Sequence, residues 1–423
     1  MSGCPMSTVR VDRIKDLQAV LRSKSALESA EVSTEYYIEP SAAAETNIQE
    51  FFQGIVTMIN GDEHRQRRRL LNSLVRPEEL IRFREHVILP SVDRWLGRAV
   101  KKNAEGLYTC DLADVVERIF LEFAAKIIGL QGVESEEGMA RLRSCVLPIF
   151  GGMSSSHFEN RDAVVEAGVA AKKVFVEEYY KPSLAYVQEQ MKRVAAGELA
   201  DEDVPLNLLK MIVTGADPGY ADEGIAIREA ILFFVATTGT STQAVLSTIE
   251  DLSHWFVKHP EDAALVEDTE FISNALQESL RLKAPYVSFV TRVAADDVDV
   301  PGCPIKSGDA IQGWIAQAGR DPEVFGSDAN EFNPKREVPD GYNRYGLAFA
   351  TGAHQCLGLR AVLGNDGRSG SHLRMIQHFF KLGVRRDLTQ VPRILEMRAS
   401  EQELEIPTYI TFPVVFTNWE KNA

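Results

Sequence analysis

The sequence predicts a mainly α-helical fold with a small β region, on three observations. Apolar residues recur three and four positions apart through about the first 290 residues, the pattern that gives a helix one buried face. The interruptions are short and rich in Gly, Ser, Asp and Pro. After about Ser288 the pattern changes to short extended pieces bounded by Pro-Gly and Ser-Gly turns.

In chain order, Glu79 to Ile128 reads as amphipathic helices through Ile88, Leu89, Val92, Trp95 and Leu96, then Val115, Ile119, Phe120, Phe123 and Ala124. Gly151 to Asn160, Gly197 to Pro205 and Gly215 to Gly224 predict loops that separate helices. Ile225 to Lys258 is the longest periodic segment, yet Ala236-Thr237-Thr238-Gly239-Thr240-Ser241-Thr242 puts small and hydroxyl residues inside it. Such residues suit a helix interior poorly, so the stretch predicts either close helix packing or a local distortion beside a ligand. Asp299-Val300-Pro301-Gly302, Ile305 to Asp309 and Ala310-Ile311 predict a small hairpin region. With no linker, repeat or low-complexity tract, residues 1–423 are expected to form a single domain.

The charge balance is 46 Lys+Arg against 61 Asp+Glu, a net charge of −15, which disfavours a nucleic-acid partner. The longest nearly uninterrupted apolar run, Ala230 to Ala236, has seven residues against the roughly 20 that span a bilayer, so no membrane span is expected. The first residues, MSGCPMSTVRVDRIKD, lack the apolar core of a secretory signal, and a cytoplasmic location is expected. Cys4, Cys110, Cys145, Cys303 and Cys356 are odd in number and irregularly spaced, which fits neither a disulfide framework nor a CxxC zinc site. A cysteine that does chemistry here acts as a lone thiolate.

The most informative run is Phe349-Ala350-Thr351-Gly352-Ala353-His354-Gln355-Cys356-Leu357-Gly358. Its glycines let the backbone approach a flat cofactor, and a thiolate at the start of the helical segment that follows is electrostatically favoured. This run resembles the haem-binding loop of the cytochrome P450 superfamily, with Phe349, Gly352, His354, Cys356 and Gly358 at the family's spacing. The resemblance implies the family's single haem-binding domain, haem b as cofactor and Cys356 as the thiolate ligand of its iron.

Other segments resemble the family in its own order. Glu278-Ser279-Leu280-Arg281 is similar to its Glu-x-x-Arg pair, and Phe332 to Arg336 to the stretch that brings a further arginine, Arg336, onto that glutamate. Read without the resemblance, Glu278 and Arg281 would be a surface pair worth under about 1 kcal/mol. His64 and Arg68, Arg292, and His354 match the places from which the family directs cationic side chains at the haem propionates. Arg65, Arg67 and Arg69 are expected to form a solvated basic face. In the long helix the best match to the family's oxygen-activation notch is Thr238-Gly239-Thr240-Ser241-Thr242, with Ser241 where the family carries an acid. A second register, without a gap to His259-Pro260, puts Gln243 and Ala244 at the acid and alcohol positions. His64 comes early, so the family's first helix and part of its first sheet are expected to be abbreviated. Gly364-Asn365-Asp366-Gly367-Arg368-Ser369-Gly370 is expected to break the helix that follows Cys356.

The resemblance implies insertion of one oxygen atom into a hydrophobic small molecule. Electrons would come from NAD(P)H through a separate ferredoxin- or flavin-type donor. Thr242, Ser241 and Gly239 are the candidate catalytic residues; Pro285 to Val290 would line the substrate pocket, and loops at Ala42 to Asn60 and Phe150 to Glu166 would close over it. The alternatives are a haem-thiolate peroxygenase, reductase or isomerase, favoured by the serine in the notch, and a non-catalytic haem protein that binds a gas or lipid.

Overall fold

The computed structural model describes residues 7–33, 41–285, 289–300, 304–397 and 406–422. The helices that position the candidate site are α1 (Ile14–Arg22), α2 (Gly61–Leu71), α3 (Leu112–Ile128), α4 (Glu223–Val235), α5 (Ser241–Lys258), α6 (Thr269–Leu282), α7 (Leu359–Leu363) and α8 (Ser371–Lys381). The strands are β1 (Thr8–Val11), β2 (Ala26–Leu27), β3 (Lys101–Lys102), β4 (Tyr108–Asp111), β5 (Val290–Ala294), β6 (Ala310–Gly313), β7 (Val384–Arg386) and β8 (Pro413–Phe416). Among the described residues the chain is mainly helical with two small sheets.

It forms two compact units. The first comprises Met1–Leu27, Leu80–Ile119 and Gly239–Ala423, and holds both sheets. One sheet has the order β1-β6-β5-β2, with β1 parallel to β6 in the register Thr8↔Ala310 and the other pairs antiparallel. α1 is amphipathic because Ile14, Leu17, Val20 and Leu21 recur on one face, and that face joins Ile311, Ile315, Phe325 and Leu347 in a common core. Ile14 and Leu17 are fully buried; each stabilises the core by roughly 1.5–3 kcal/mol. The other sheet has the order β3-β4-β8-β7, all antiparallel.

The helical reading of residues 79–128 missed the β3–β4 hairpin, because Lys101 and Lys102 are exposed and polar and carry no alternating apolar signal. The expected small hairpin region contributes β6 and the Val298↔Ile305 bridge; Pro301 and Gly302 lie outside the described residues.

The second unit, Glu28–Glu79 and Phe120–Thr238, is helical among its described residues. The loop expected at Gly151 to Asn160 is partly helix: Val146–Met153 runs through Gly151 and Gly152 before a turn leads to Arg161–Phe175. The reason is close packing. A Cβ on Gly168 of the second helix would come within 2.8 Å of Gly152 Cα, so glycines are what lets the two helices touch. Ala42 to Asn60 likewise contains helical turns, Ala42–Asn47 and Ile48–Phe52, ahead of a short non-helical stretch.

The longest segment is helical from Glu223 to Lys258, with a π turn at Ala236–Thr240 between α4 and α5. Of the two alternatives left open by its small and hydroxyl residues, close packing or a local distortion, a distortion is present. By length and composition this 36-residue helix could cross a membrane, although its longest nearly uninterrupted apolar run is Ala230 to Ala236; 67% of its most apolar window is buried within the protein, as in a core helix.

Candidate active site

The loop before α7 is built to present Cys356. Tyr345 meets Phe349 edge to face with centroids 5.1 Å apart, and the Phe349 carbonyl accepts the Cys356 N–H at 2.8 Å. Between them Ala350 has φ +51°, the single non-glycine in the left-handed region among the described residues. Strain of that kind costs about 1–3 kcal/mol and concentrates at functional sites. The Cys356 thiol is exposed. Cys110 and Cys145 instead have thiols that burial pushes upward, which keeps them protonated; Cys4 and Cys303 lie outside the described residues. Gly358 lies close to the sulfur, since a Cβ built on it would sit 3.6 Å from Sγ.

Gly352 is fixed from two sides. Its φ is +77°, and an added Cβ would lie 2.3 Å from the Leu21 carbonyl oxygen at the end of α1. Gly352→Ala is expected to lower stability by at least about 1–3 kcal/mol, whereas Gly367→Ala, with positive φ but no atom within 4 Å, should lose only the conformational part. Thermal unfolding of both variants checks this, and equal midpoints would contradict it.

Glu278 and Arg281 on α6 are a buried ion pair and not the surface pair that spacing alone allowed. Arg281 Nε and Nη2 donate to the two Glu278 oxygens at 2.8 and 2.7 Å, and Arg336 Nε donates to Glu278 Oε1 at 2.9 Å. Glu278 and Arg281 side chains are fully buried and Arg336 nearly so. Arg281 also donates to the carbonyls of Gly319 and Ala329, and Arg336 to Asp328, so the three residues knit α6 to the chain that leads toward Phe349.

In the long helix, Ser241 and Thr242 are buried just after the π turn, and a Cβ on Gly239 would meet no atom within 4 Å. Gln243 is committed elsewhere: its Nε2 donates to the Tyr409 carbonyl at 3.0 Å and its Oε1 accepts the Tyr409 N–H at 2.7 Å. That clamp leaves the Gln243 amide little freedom for the role that the ungapped register gives it, a constraint sequence reasoning did not reach. Arg292 is buried in β5 and donates to the Thr291 carbonyl at 2.6 Å, and His354 is half-buried in the turn Gly352–His354. From Pro285 to Val290, residues 286–288 lie outside the described residues; Phe289 packs on Trp314 with centroids 5.0 Å apart.

In the second unit His64 is buried on α2, with Arg68 one turn on and partly exposed; burial, then Arg68, Arg65 and Arg67, push the His64 imidazole toward its neutral form. Arg65 and Arg69 are exposed, as expected of a solvated face. Arg67 is not: its side chain is fully buried among Asp217, Glu63 and Glu229. Its partners Asp217 and Glu229 are 150 and 162 positions away (217 − 67 and 229 − 67), beyond the reach of local spacing.

After the Cys356 thiolate position, α7 ends at Leu363, and residues 364–370 form the expected break before α8. The break is an ordered turn. Asp366 Oδ1 accepts the Arg368 and Ser369 N–H groups at 2.8 Å each, and Arg368 reaches Glu270 on α6 at 3.0 Å.

The sequence profile of the family described as Cytochrome P450 matches residues 231–361, the stretch that carries the notch, the Glu278–Arg281 pair and Cys356. Over that stretch the chain is similar to the cytochrome P450 superfamily. The putative cytochrome P450 140 of Mycobacterium tuberculosis (strain ATCC 25618 / H37Rv) is 32% identical over 164 residues, covering 37% of this chain. A biotin biosynthesis cytochrome P450 of Bacillus subtilis (strain 168) is 28% identical over 153 residues, 36% of this chain. These matches span 34% and 36% of the relatives' own lengths. The fold extends further than the sequence similarity: the crystal structure of CalO2 superposes with TM-score 0.69 at 20% identity, over 97% of this chain and 91% of that one. P450BioI, solved with a fatty-acyl acyl carrier protein, gives 0.66 at 19% identity over 96% and 91%.

The residues present fit the haem that the similarity over residues 231–361 implies. An exposed thiol at the head of a helix, on a strained loop with a glycine against its sulfur, is the donor a haem-thiolate site needs.

Proposed function

We propose that the chain is a haem-thiolate monooxygenase that inserts one oxygen atom from dioxygen into a hydrophobic small molecule, its 423 residues acting as one haem-binding domain. The observation that most supports this reading is the exposed Cys356 on its strained loop, beside two described cysteines that burial keeps inert. Cys356 would ligate the iron of haem b, and His64, Arg68, Arg292 and His354 would hold its propionates. Haem bound there would supply the dioxygen chemistry. Gly239 keeps one face of the long helix free of side chain, and Thr242 with Ser241 would hold and pass protons at their hydroxyl groups. A serine does not ionise at neutral pH, so Ser241 can relay a proton only as a neutral hydroxyl. Electrons would come from NAD(P)H through a separate ferredoxin- or flavin-type donor in the cytoplasm.

A second reading, a haem-thiolate peroxygenase, reductase or isomerase, is favoured by one observation: a serine stands where the notch would carry its acid, and the neighbouring Gln243 is tied to Tyr409. Product formation with NAD(P)H, a donor protein and oxygen, set against formation with peroxide alone, separates the two. Under the monooxygenase reading Thr242→Ala lowers product per electron pair by about 100-fold or more. Undiminished coupling in that variant, with turnover on peroxide alone, would select the second reading. Spectral shifts on ligand addition without product in either assay would instead indicate a binding protein.

A further inference from the structure

In the second unit, the turn at residues 53–56 is held down by side chains from two helices. Arg228 on α4 donates from Nε to the Gln53 carbonyl at 2.6 Å and from Nη1 to the Gln49 carbonyl at 3.1 Å. One residue on, Glu229 Oε2 accepts the Val56 N–H at 3.2 Å. Ile225, one turn earlier on the same helix face, packs directly under Gly54. From α2, Arg67 donates to the Gly54 carbonyl. The turn is thus strapped to positions i, i+3 and i+4 of α4 and to the centre of α2.

The strap closes over a buried charge cluster with more acids than bases. Arg67 and Glu229 side chains are both fully buried and 3.8 Å apart. Asp217 lies 3.3 Å from Arg67, Glu63 lies 3.1 Å from it on the partly exposed side, and the Tyr220 ring lies 5.2 Å from its guanidinium. The charged and titratable groups that face Glu229 are therefore Arg67 from α2 and Asp217 and Tyr220 from the turn before α4. On the strapped segment itself, Glu50 is engaged by Lys172 at 2.8 Å. One guanidinium faces two buried carboxyls, and the buried Tyr220 hydroxyl lies against the Glu229 carboxyl. A second buried negative charge in that place is costly.

We infer that Glu229 is the latch of a proton-linked strap: with its proton on, it holds the turn at residues 53–56 closed, and losing the proton to water favours release of the turn. The sign follows from linkage. Burial pushes the Glu229 carboxyl up to about 8 against the pull of Arg67, well above its ordinary value. The closed strap thus binds a proton that a hydrated Glu229 would give up. Its advantage is complete below the ordinary carboxylate value and is lost as the pH rises through about 8. The strapped turn falls within Ala42 to Asn60, the stretch expected to close over a substrate, so pH would set how often that stretch opens. The inference does not depend on the haem reading, and its readout needs no turnover.

Amide hydrogen exchange of the purified full-length protein between about pH 5.5 and 7.5 tests it, with each rate divided by the intrinsic rate at that pH. For the amides of residues 53–58 the opening constant should rise about tenfold per pH unit, the slope for release of one proton. In Glu229→Gln the slope should vanish, and in Asp217→Asn the upper end of the window should move to lower pH, because Asp217 helps to hold the carboxyl up. The wild-type measurement needs no variant to fold. A flat wild-type profile, a slope that persists in Glu229→Gln, or an equal slope at amides inside α4 would overturn the strap, the last because it would report unfolding of the whole unit.

Discussion

Cys356→Ser is expected to abolish completely the red-shifted absorption band of the reduced, carbon monoxide-treated protein, while Cys110→Ser and Cys145→Ser keep it. The band requires a thiolate on the iron, and the structure leaves Cys356 as the exposed thiol among the described cysteines. Cys110 and Cys145 have thiols held protonated by burial, which makes them poor metal ligands as they stand. Cys4 and Cys303 should be dispensable too. Cys356→His adds a control: a band at the ordinary position would show that the haem is retained on an imidazole, so loss of the red shift would report the ligand and not the fold. Retention of the red-shifted band in Cys356→Ser would remove the basis of the haem-thiolate reading.

The Cys356 loop was legible because its requirements are local. A glycine at φ +77° against the Leu21 carbonyl, and a cysteine seven residues after a buried phenylalanine, leave a mark in ten consecutive letters. The distortion at Ala236–Thr240 was legible for the same reason, since hydroxyl and small residues weaken a helix where they stand. The fates of neighbouring arginines were not. Arg65, Arg67 and Arg69 look alike in sequence, but only Arg67 turns inward, and what draws it there is Asp217 and Glu229 from distant segments. Gln243 is similar: nothing near it in sequence announces that Tyr409 will take both ends of its amide. The β3–β4 hairpin escaped notice because two exposed lysines carry no periodicity, and only pairing with β8 makes a strand of Tyr108–Asp111.

Breaking the Glu278–Arg281–Arg336 triad should be the most destabilising single change in the first unit. Glu278→Ala removes three charge-assisted hydrogen bonds of 2.7–2.9 Å at once and leaves two guanidinium groups in a region where Glu278 and Arg281 are fully buried. Breaking a buried pair by removing one partner costs about 3–5 kcal/mol, against a total of about 5–15 kcal/mol for a typical protein. The remaining partners do not replace it. Arg336 keeps Asp328 at 2.6 Å, which is half exposed, but Arg281 keeps no carboxylate among the described residues, being left with the neutral carbonyls of Gly319, Ala329 and Glu331 and the Phe325 ring. Arg281→Lys should cost nearly as much, because one ammonium cannot reproduce a fork that reaches both Glu278 oxygens and those carbonyls together. Arg336→Lys should cost less, since Glu278 keeps Arg281. Urea denaturation of the three variants gives the order directly, and a Glu278→Ala loss below about 1 kcal/mol would return the triad to the rank of a surface pair. Because these residues tie α6 to the segment running into Phe349, the same variants should also weaken haem retention while leaving the Cys356 sequence untouched.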